Sequence, residues 1–195
     1  MFSKLYGLQH YYKIYKPYGY LSQFINNQTK RRNKKLLGSL GAFPENLMAI
    51  GRLDEKSEGL LLLTTDGKYS EFIRSSAIEK EYHVMVDGLI TSEAIENLKQ
   101  GVPITVGKES YQTKSCQVDF LKDISHIPER FVRDDKHGPT SWISITITEG
   151  KFRQVRKMTA AVGFPTLRLV RYRIGEYTFE GLLPGQVEEL GVKSY

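Results

Sequence analysis

Alternating apolar and polar positions indicate several strands along the chain. The clearest is Ser141 to Thr148, SWISITIT, which is rich in β-branched residues at a period of two. The run from Gly59 to Thr65 contains four consecutive leucines and is followed by Asp66-Gly67, which predicts a buried strand that ends in a tight turn. The same reasoning predicts further strands over residues 11–16, 80–86, 113–120, 166–174 and 176–179.

Start and stop signals indicate two helices. Residues 91–100 have Thr91 in the N-cap position and Gly101 just past the last periodic residue. Residues 152–162 form the second predicted helix, which Gly163 ends and the following Phe-Pro pair prevents from continuing. Both segments are therefore predicted to pack against the strands.

The remaining segments are short or polar. Residues 69–74 are predicted to form one or two helical turns. Residues 26–35 are predicted to form a basic loop or a short solvated helix, and residues 121–139 are predicted to form a surface loop. Because strands outnumber helices and are often spaced like hairpins, we expect an α+β fold on a mainly antiparallel sheet. The chain has no repeat and no linker-like tract, so we expect a single domain over residues 1–195.

The composition narrows the class of protein. Apolar residues make up 40% of the 195 residues, which is enough to form a packed core. The single cysteine, Cys116, cannot form an internal disulfide, and the four histidines have no metal-ligand spacing. The N-terminus has no apolar segment typical of a signal peptide, and no run approaches the roughly 20 apolar residues of a membrane span. We expect a cytoplasmic protein that has no metal site and does not bind a membrane.

The positive charge is concentrated in two blocks. The chain has 28 Lys and Arg against 22 Asp and Glu. Five of the six residues from Lys30 to Lys35 are basic, and the segment from Lys151 to Gly175 has seven basic residues and no acidic one. Blocks of one sign are typical of a surface that binds a polyanion such as RNA. A solvated charged loop explains the first block equally well.

The segment before the leucine run is unusually charged. Arg52 and Asp54 are two residues apart, so an extended backbone places both on one face and turns Leu53 toward the core. A carboxylate beside a buried strand requires a compensating cation. One interpretation is a structural ion pair; the other is a site in which an ionised Asp54 is held for chemistry. Glu55 and Glu58 are interpreted as solvated or helix-start charges.

Four segments of this sequence resemble motifs of the pseudouridine synthases, in the branch that modifies ribosomal RNA. GRLDEKSEGLLLLTTDG, residues 51–67, resembles the central motif. Lys16-Pro17-Tyr18-Gly19 resembles the first motif, Lys80-Glu81-Tyr82 the short Lys-x-Tyr motif, and residues 149–172 the last motif, all in the order that the family requires. Within the branch, the chain is most similar to the E-type enzymes of large-subunit (23S) rRNA.

The resemblance implies the fold and the reaction. The fold would be the pseudouridine synthase fold, a mainly antiparallel mixed sheet flanked by helices, with two lobes around a catalytic cleft. The reaction would convert a specific uridine of 23S rRNA to pseudouridine, breaking the N1–C1′ bond and forming the C5–C1′ bond. Nothing is added to the RNA, so no cofactor or metal is expected. The expected partner is 23S rRNA or a large-subunit assembly intermediate, and the protein is expected to be a monomer.

The resemblance also implies roles for individual residues. Asp54 would be the catalytic carboxylate, Arg156 would form an ion pair with it, and Tyr82 would stack on the uracil and assist proton removal at C5. Structural alternatives stay open: Tyr82 as a core residue, and Arg52, Arg153 and Lys157 as structural, phosphate-facing or solvent-facing charges. The substrate-binding residues implied by the resemblance are Lys16, Arg52, Lys80, Arg153 and Lys157.

Three other functions remain possible on these residues. A non-catalytic RNA-binding or ribosome-assembly protein would explain the basic blocks but not the set of Asp54, Tyr82 and Arg156. A nucleoside or glycoside hydrolase breaks the same type of bond, but it generally uses two carboxylates, and no convincing second acid is present. A pseudouridine synthase for another RNA is the third alternative. Because the first motif begins near residue 11, we expect no N-terminal S4-type RNA-binding domain.

Overall fold

The computed structural model of the protein describes residues 8–25 and 33–191. Most of the predicted 26–35 loop, and Lys30 to Arg32 of the first basic block, lie outside these residues. The helices are α1 (Gly67–Arg74), α2 (Ser92–Gln100) and α3 (Gln154–Ala161), with short 3-10 turns at Leu37–Leu40 and Asp135–His137. The strands are β1 (Tyr11–Lys16), β2 (Tyr20–Leu21), β3 (Lys35–Leu36), β4 (Met48–Ala49), β5 (Glu58–Thr64), β6 (Lys80–Asp87), β7 (Pro103–Val106), β8 (Glu109–Gln112), β9 (Gln117–Phe120), β10 (Thr140–Ile147), β11 (Thr166–Ile174), β12 (Tyr177–Thr178) and β13 (Val187–Leu190).

The chain divides into two compact units, and the first contains everything up to Ser75 and from Gly181 onward. In this unit β1 lies between β13 and β5 and is antiparallel to both, with Tyr15 opposite Leu60. Every residue of β5 is buried. Such a strand has to be apolar on both faces, which explains the uninterrupted leucines. The strand is followed by Asp66, whose side chain accepts hydrogen bonds from the first backbone N–H groups of α1.

The second unit runs from Ser76 to Glu180. Its central strand, β6, pairs antiparallel with β10 and with β11, and β9 pairs with the free side of β10. Apolar residues of α2 and α3 are buried in one cluster with residues of β6, β7, β9, β10 and β11. Among the described residues of both units, no helix combines the length and the apolar character needed to cross a bilayer.

The structure confirms the predicted α+β class. The strand pairs described within the two units are antiparallel, except for the short parallel pair of β2 and β3. Strands β1 and β11 have the predicted bounds, and β5, β6 and β10 differ from them by one residue. Thr91 caps α2 as predicted, accepting a hydrogen bond from the Ala94 N–H, and Gly163 has the predicted positive φ, 88°.

Two local predictions were wrong, and one hairpin was missed. Residues 113–116 are not a strand, because Thr113 and Cys116 form hydrogen bonds with Val102 and Lys99 near the end of α2 instead. The second helix begins at Gln154, because the residue before it adopts a left-handed backbone. Strands β7 and β8 form a hairpin whose turn is Gly107-Lys108. A glycine in the first position suits a two-residue hairpin turn, so this pair of residues could have predicted the hairpin.

Candidate active site

Asp54 lies in the turn that leads into β5, with a partly buried side chain. Its backbone carbonyl accepts a hydrogen bond from the Ser57 N–H at 3.0 Å, which closes the turn. The next carbonyl, that of Glu55, accepts from the Gly19 N–H at 2.8 Å. The structure therefore brings the first motif and the central motif together within the first unit.

A serine outside the motifs fixes the residue before Asp54. The Ser22 hydroxyl accepts a hydrogen bond from the Leu53 N–H and donates one to the Leu53 carbonyl, both at 2.9 Å and both buried. Leu53 is itself buried, as the sequence predicted. One side chain thus satisfies both backbone groups of Leu53 and restricts the backbone that carries Asp54. The sequence contains no motif that identifies Ser22.

The other charged residues of the first unit have different environments. Lys16 has no exposed surface, and its ammonium group donates hydrogen bonds to the carbonyls of Pro17 and Tyr20 at 3.0 and 2.7 Å. Its role in substrate binding stays a prediction. Arg52 is exposed. The interpretation of Glu58 as a solvated or helix-start charge was wrong, because it is buried at the start of strand β5. Glu55 is partly exposed and forms a 2.6 Å ion pair with Lys34.

Strand β6 carries Lys80 and Tyr82 in the second unit, both partly buried and on one face of the sheet because they are two residues apart. Burial lowers the pKa of Lys80, and repulsion from Arg171 lowers it further. Arg171 lies opposite Tyr82 on the neighbouring strand β11 and is buried. The Tyr82 ring packs against the hydrophobic core of this unit. This position is compatible with both the core role and the substrate role that the sequence left open.

Arg171 is a candidate site residue that the sequence analysis did not single out. It is 5% exposed, although arginine is seldom buried. The sequence could have indicated that Arg171 is buried, because it follows Leu169 and Val170 in a segment predicted to be a strand.

Helix α3 carries the remaining predicted residues. Arg153 is its N-cap residue and has a φ of 53°, a left-handed value that is uncommon outside glycine. Arg156 is half-buried, and its guanidinium lies 3.4 Å from the Thr166 carbonyl. The Lys157 ammonium donates a 2.6 Å hydrogen bond to the Thr105 carbonyl on β7. This hydrogen bond attaches α3 to the missed hairpin.

A hydrogen-bond network supports the loop between β10 and α3. The buried Gln154 side chain donates to Glu149 at 2.8 Å and accepts from the Lys151 N–H at 3.0 Å. Glu149 also accepts hydrogen bonds from the Tyr111 hydroxyl and the Lys114 N–H. Burial alone would raise the pKa of Glu149, but these hydrogen bonds outweigh it and lower the pKa below its usual value. The carboxylate is therefore charged at neutral pH and holds the loop.

The predicted residues fall into two groups. The first unit carries Lys16, Arg52 and Asp54, and the second carries Lys80, Tyr82, Arg153, Arg156 and Lys157. The ion pair between Asp54 and Arg156 stays a prediction. Within residues 8–25 and 33–191, no group of three or more His, Cys, Asp or Glu side chains is arranged to hold a metal ion.

The fold, the four motifs and the basic α3 segment define an enzyme that modifies RNA. A family model described as RNA pseudouridylate synthase matches residues 10–161. The chain belongs to this family.

Proteins of known identity agree with this assignment. The chain is 41% identical over 183 residues to "Ribosomal large subunit pseudouridine synthase E" of Vibrio vulnificus (strain CMCP6), an alignment that covers 92% of this chain and 74% of the relative. It is 42% identical over 173 residues to the protein of the same name from Xanthomonas axonopodis pv. citri (strain 306), with 87% of each chain covered. Among solved structures, a pseudouridylate synthase crystal structure superposes with a TM-score of 0.75 at 26% identity, covering 94% of this chain and 71% of the other.

Proposed function

We propose that this protein converts a specific uridine of large-subunit ribosomal RNA to pseudouridine, with Asp54 as the catalytic carboxylate. The observation that carries the proposal is the identity of 41% and 42% to two relatives named as large-subunit enzymes, over 92% and 87% of this chain. The alternative of a non-catalytic RNA-binding protein does not explain why the turn that carries Asp54 is held by several hydrogen bonds.

The proposed chemistry is an isomerisation. The N1–C1′ bond of the uridine breaks, the uracil turns, and the C5–C1′ bond forms; C5 loses a proton and N1 gains one. Asp54 acts on the ribose or the base, and Tyr82 contacts the uracil and assists removal of the C5 proton. Because the turn around Asp54 is held by Ser22, Gly19 and Ser57, the carboxylate is positioned before the RNA binds.

The reacting atoms of a paired nucleotide are inaccessible inside a helix. Taking the nucleotide out of the stack costs a few kcal/mol. The basic residues Lys80, Arg153 and Lys157, together with Arg52 of the first unit, are proposed to bind the RNA. Affinity should therefore fall steeply as salt concentration rises. Lys16 has no exposed surface and is proposed to contribute by holding the first motif through the Pro17 and Tyr20 carbonyls.

The remaining expectations belong to the same proposal. The substrate is 23S rRNA or a large-subunit assembly intermediate. The protein acts as a monomer in the cytoplasm, without a cofactor, through a single catalytic domain over residues 1–195.

The decisive experiment maps pseudouridines in 23S rRNA from cells with and without the gene. We expect one modified uridine to be lost in the deletion strain and restored by a plasmid that encodes the wild-type protein. A plasmid that encodes Asp54→Asn should not restore it. If 23S rRNA is unchanged but a tRNA site is lost, the substrate proposal is wrong; if no site changes in any RNA, the enzymatic proposal is wrong.

A further inference from the structure

Phe152 is a large aromatic residue that the proposed chemistry does not use. It lies in the loop between β10 and α3 of the second unit, and its side chain is 69% exposed. Its neighbours Lys151 and Arg153 are also exposed. A single exposed aromatic ring is common on protein surfaces, so the groups around Phe152 decide whether it has a role.

The loop that carries Phe152 is held in place from both ends. Lys151 and Gln154 form two hydrogen bonds: the Lys151 N–H donates to the Gln154 side chain at 3.0 Å, and the Gln154 N–H donates to the Lys151 carbonyl at 3.1 Å. Arg153 adopts a left-handed backbone conformation, which is unfavourable for a residue with a Cβ atom. The exposed position of Phe152 is therefore maintained by the network of Glu149 and Gln154.

One cation lies over the Phe152 ring, and further cations occur beside it in sequence. The Lys157 ammonium lies 5.3 Å from the centroid of the Phe152 ring and is held there by its hydrogen bond to the Thr105 carbonyl. The Lys151 ammonium lies 4.6 Å from the Tyr111 ring centroid. No acidic residue occurs between residues 151 and 175. An exposed ring with one ammonium over it and exposed basic residues on either side in sequence fits a ligand that has both a flat aromatic face and negative charge, and an unpaired nucleotide has both.

We propose that Phe152 stacks on an unpaired base of the RNA substrate while Lys151, Arg153 and Lys157 contact its phosphates. This inference rests on the proposed function, and it extends that function by assigning a binding site for single-stranded RNA to the loop of the second unit. An apolar protein partner is the competing occupant. The charge around the ring argues against it, because apolar interfaces are depleted in lysine.

The test compares substitutions at Phe152 by fluorescence anisotropy with a labelled single-stranded oligouridylate. Phe152→Ala should weaken binding by about 5- to 150-fold, the change that corresponds to roughly 1–3 kcal/mol per stacked base. Phe152→Trp should retain the RNA affinity, because the indole ring also stacks. Phe152→Leu should weaken RNA binding nearly as much as Phe152→Ala. A duplex RNA of equal length should bind all variants alike.

Phe131 provides a matched control. It is 80% exposed in the same unit, but its neighbours carry charges of both signs. Phe131→Ala should leave RNA binding unchanged. Because both phenylalanines are exposed, neither substitution removes core packing, and thermal unfolding should confirm that the folds are intact.

Three results would overturn the inference: wild-type affinity in Phe152→Ala, wild-type affinity in Phe152→Leu, or a loss in Phe152→Trp equal to that in the alanine variant. The second would indicate a merely apolar contact, as a protein partner makes. The binding assay requires no turnover, so it is independent of the pseudouridine mapping. If the wild-type protein modifies 23S rRNA and Phe152→Ala binds RNA normally, only the inference about Phe152 is wrong.

Discussion

The Ser22 hydroxyl forms two hydrogen bonds of 2.9 Å with the backbone of Leu53: it accepts one from the Leu53 N–H and donates one to the Leu53 carbonyl. Thirty-one residues separate the two positions in sequence. Because Leu53 directly precedes Asp54, these bonds restrict the turn that carries the proposed catalytic carboxylate. Ser22 is thus a positioning residue for this site.

Ser22→Ala should leave both buried backbone groups of Leu53 without this partner. We expect the free energy of unfolding to fall by about 1–3 kcal/mol, and kcat to fall while KM for RNA is little changed. Chemical denaturation and steady-state kinetics measure the two effects, and Ser22→Thr, which keeps the hydroxyl, should restore part of the activity. The control is Ser39→Ala, which removes an exposed hydroxyl bonded to the Leu36 carbonyl. If kcat is unchanged in a destabilised Ser22→Ala protein, the role of Ser22 is structural only.

Asp54→Asn should abolish pseudouridine formation and leave RNA affinity largely intact. The substitution keeps the shape of the side chain but removes the charge that the chemistry needs. We expect a decrease of at least about a hundredfold in turnover of 23S rRNA, measured by pseudouridine-specific mapping. Glu55→Gln on the same turn is the control, since it removes a carboxylate that pairs with Lys34, and it should retain activity. Wild-type turnover by the asparagine variant would remove Asp54 from the mechanism.

Gln154→Ala should release the loop that carries Phe152. The substitution removes the hydrogen bonds with Glu149 and with the Lys151 N–H, so we expect a lower melting temperature and weaker binding of single-stranded RNA. The exposed Gln112, at the end of β8, provides the control, and Gln112→Ala should change neither quantity. Normal RNA affinity in a destabilised Gln154→Ala variant would show that the network stabilises the fold without positioning Phe152.

Two histidines of the second unit are joined by one hydrogen bond. His83 is buried, with Nε2 3.1 Å from a Glu81 carboxylate oxygen and Nδ1 2.9 Å from Nε2 of His126. The two facing nitrogens can share only one proton in this contact. Burial lowers the pKa of His126, and repulsion from His83 lowers it further, against the opposing attraction of Asp123, Glu180 and Glu81.

This arrangement predicts that stability falls in mild acid. The unfolded chain takes up a proton at His126 near the ordinary histidine pKa of about 6.5, whereas the folded chain takes it up only at lower pH. The contribution of neutral His126 to the free energy of unfolding is therefore complete above the unfolded-state pKa. It is lost as pH falls toward the lower pKa of the folded protein. We expect the melting temperature to decrease over this range, and His126→Gln to reduce the decrease. The control is His137→Gln, at an exposed histidine, whose melting temperature should decrease with falling pH as in the wild-type protein. The same decrease in the wild-type protein and in both variants would contradict the prediction.

Local signals predicted the elements whose pattern depends only on neighbouring residues. Strand β1 was predicted to the residue from its strand-favouring residues and from the turn residues after Lys16, and α2 from its capping threonine, because these signals depend on residues within a few positions of the chain. The hairpin of β7 and β8 was missed because its strands have only four residues each, too few for a reliable alternation. Helix α3 was predicted two residues too early, because nothing in the sequence marks Arg153 as left-handed.

The sequence by itself determined the family and the motifs, since these depend on which side chains occur in which order, and it predicted the catalytic residues. Only the tertiary structure revealed that Ser22 fixes the backbone before Asp54, that Lys16 and Arg171 are buried, and that Glu149 and Gln154 hold Phe152 in an exposed position. The physical reason is separation along the chain. A hydrogen bond between residues far apart in sequence forms only after the strands that carry them have packed, and it leaves no local pattern to predict it.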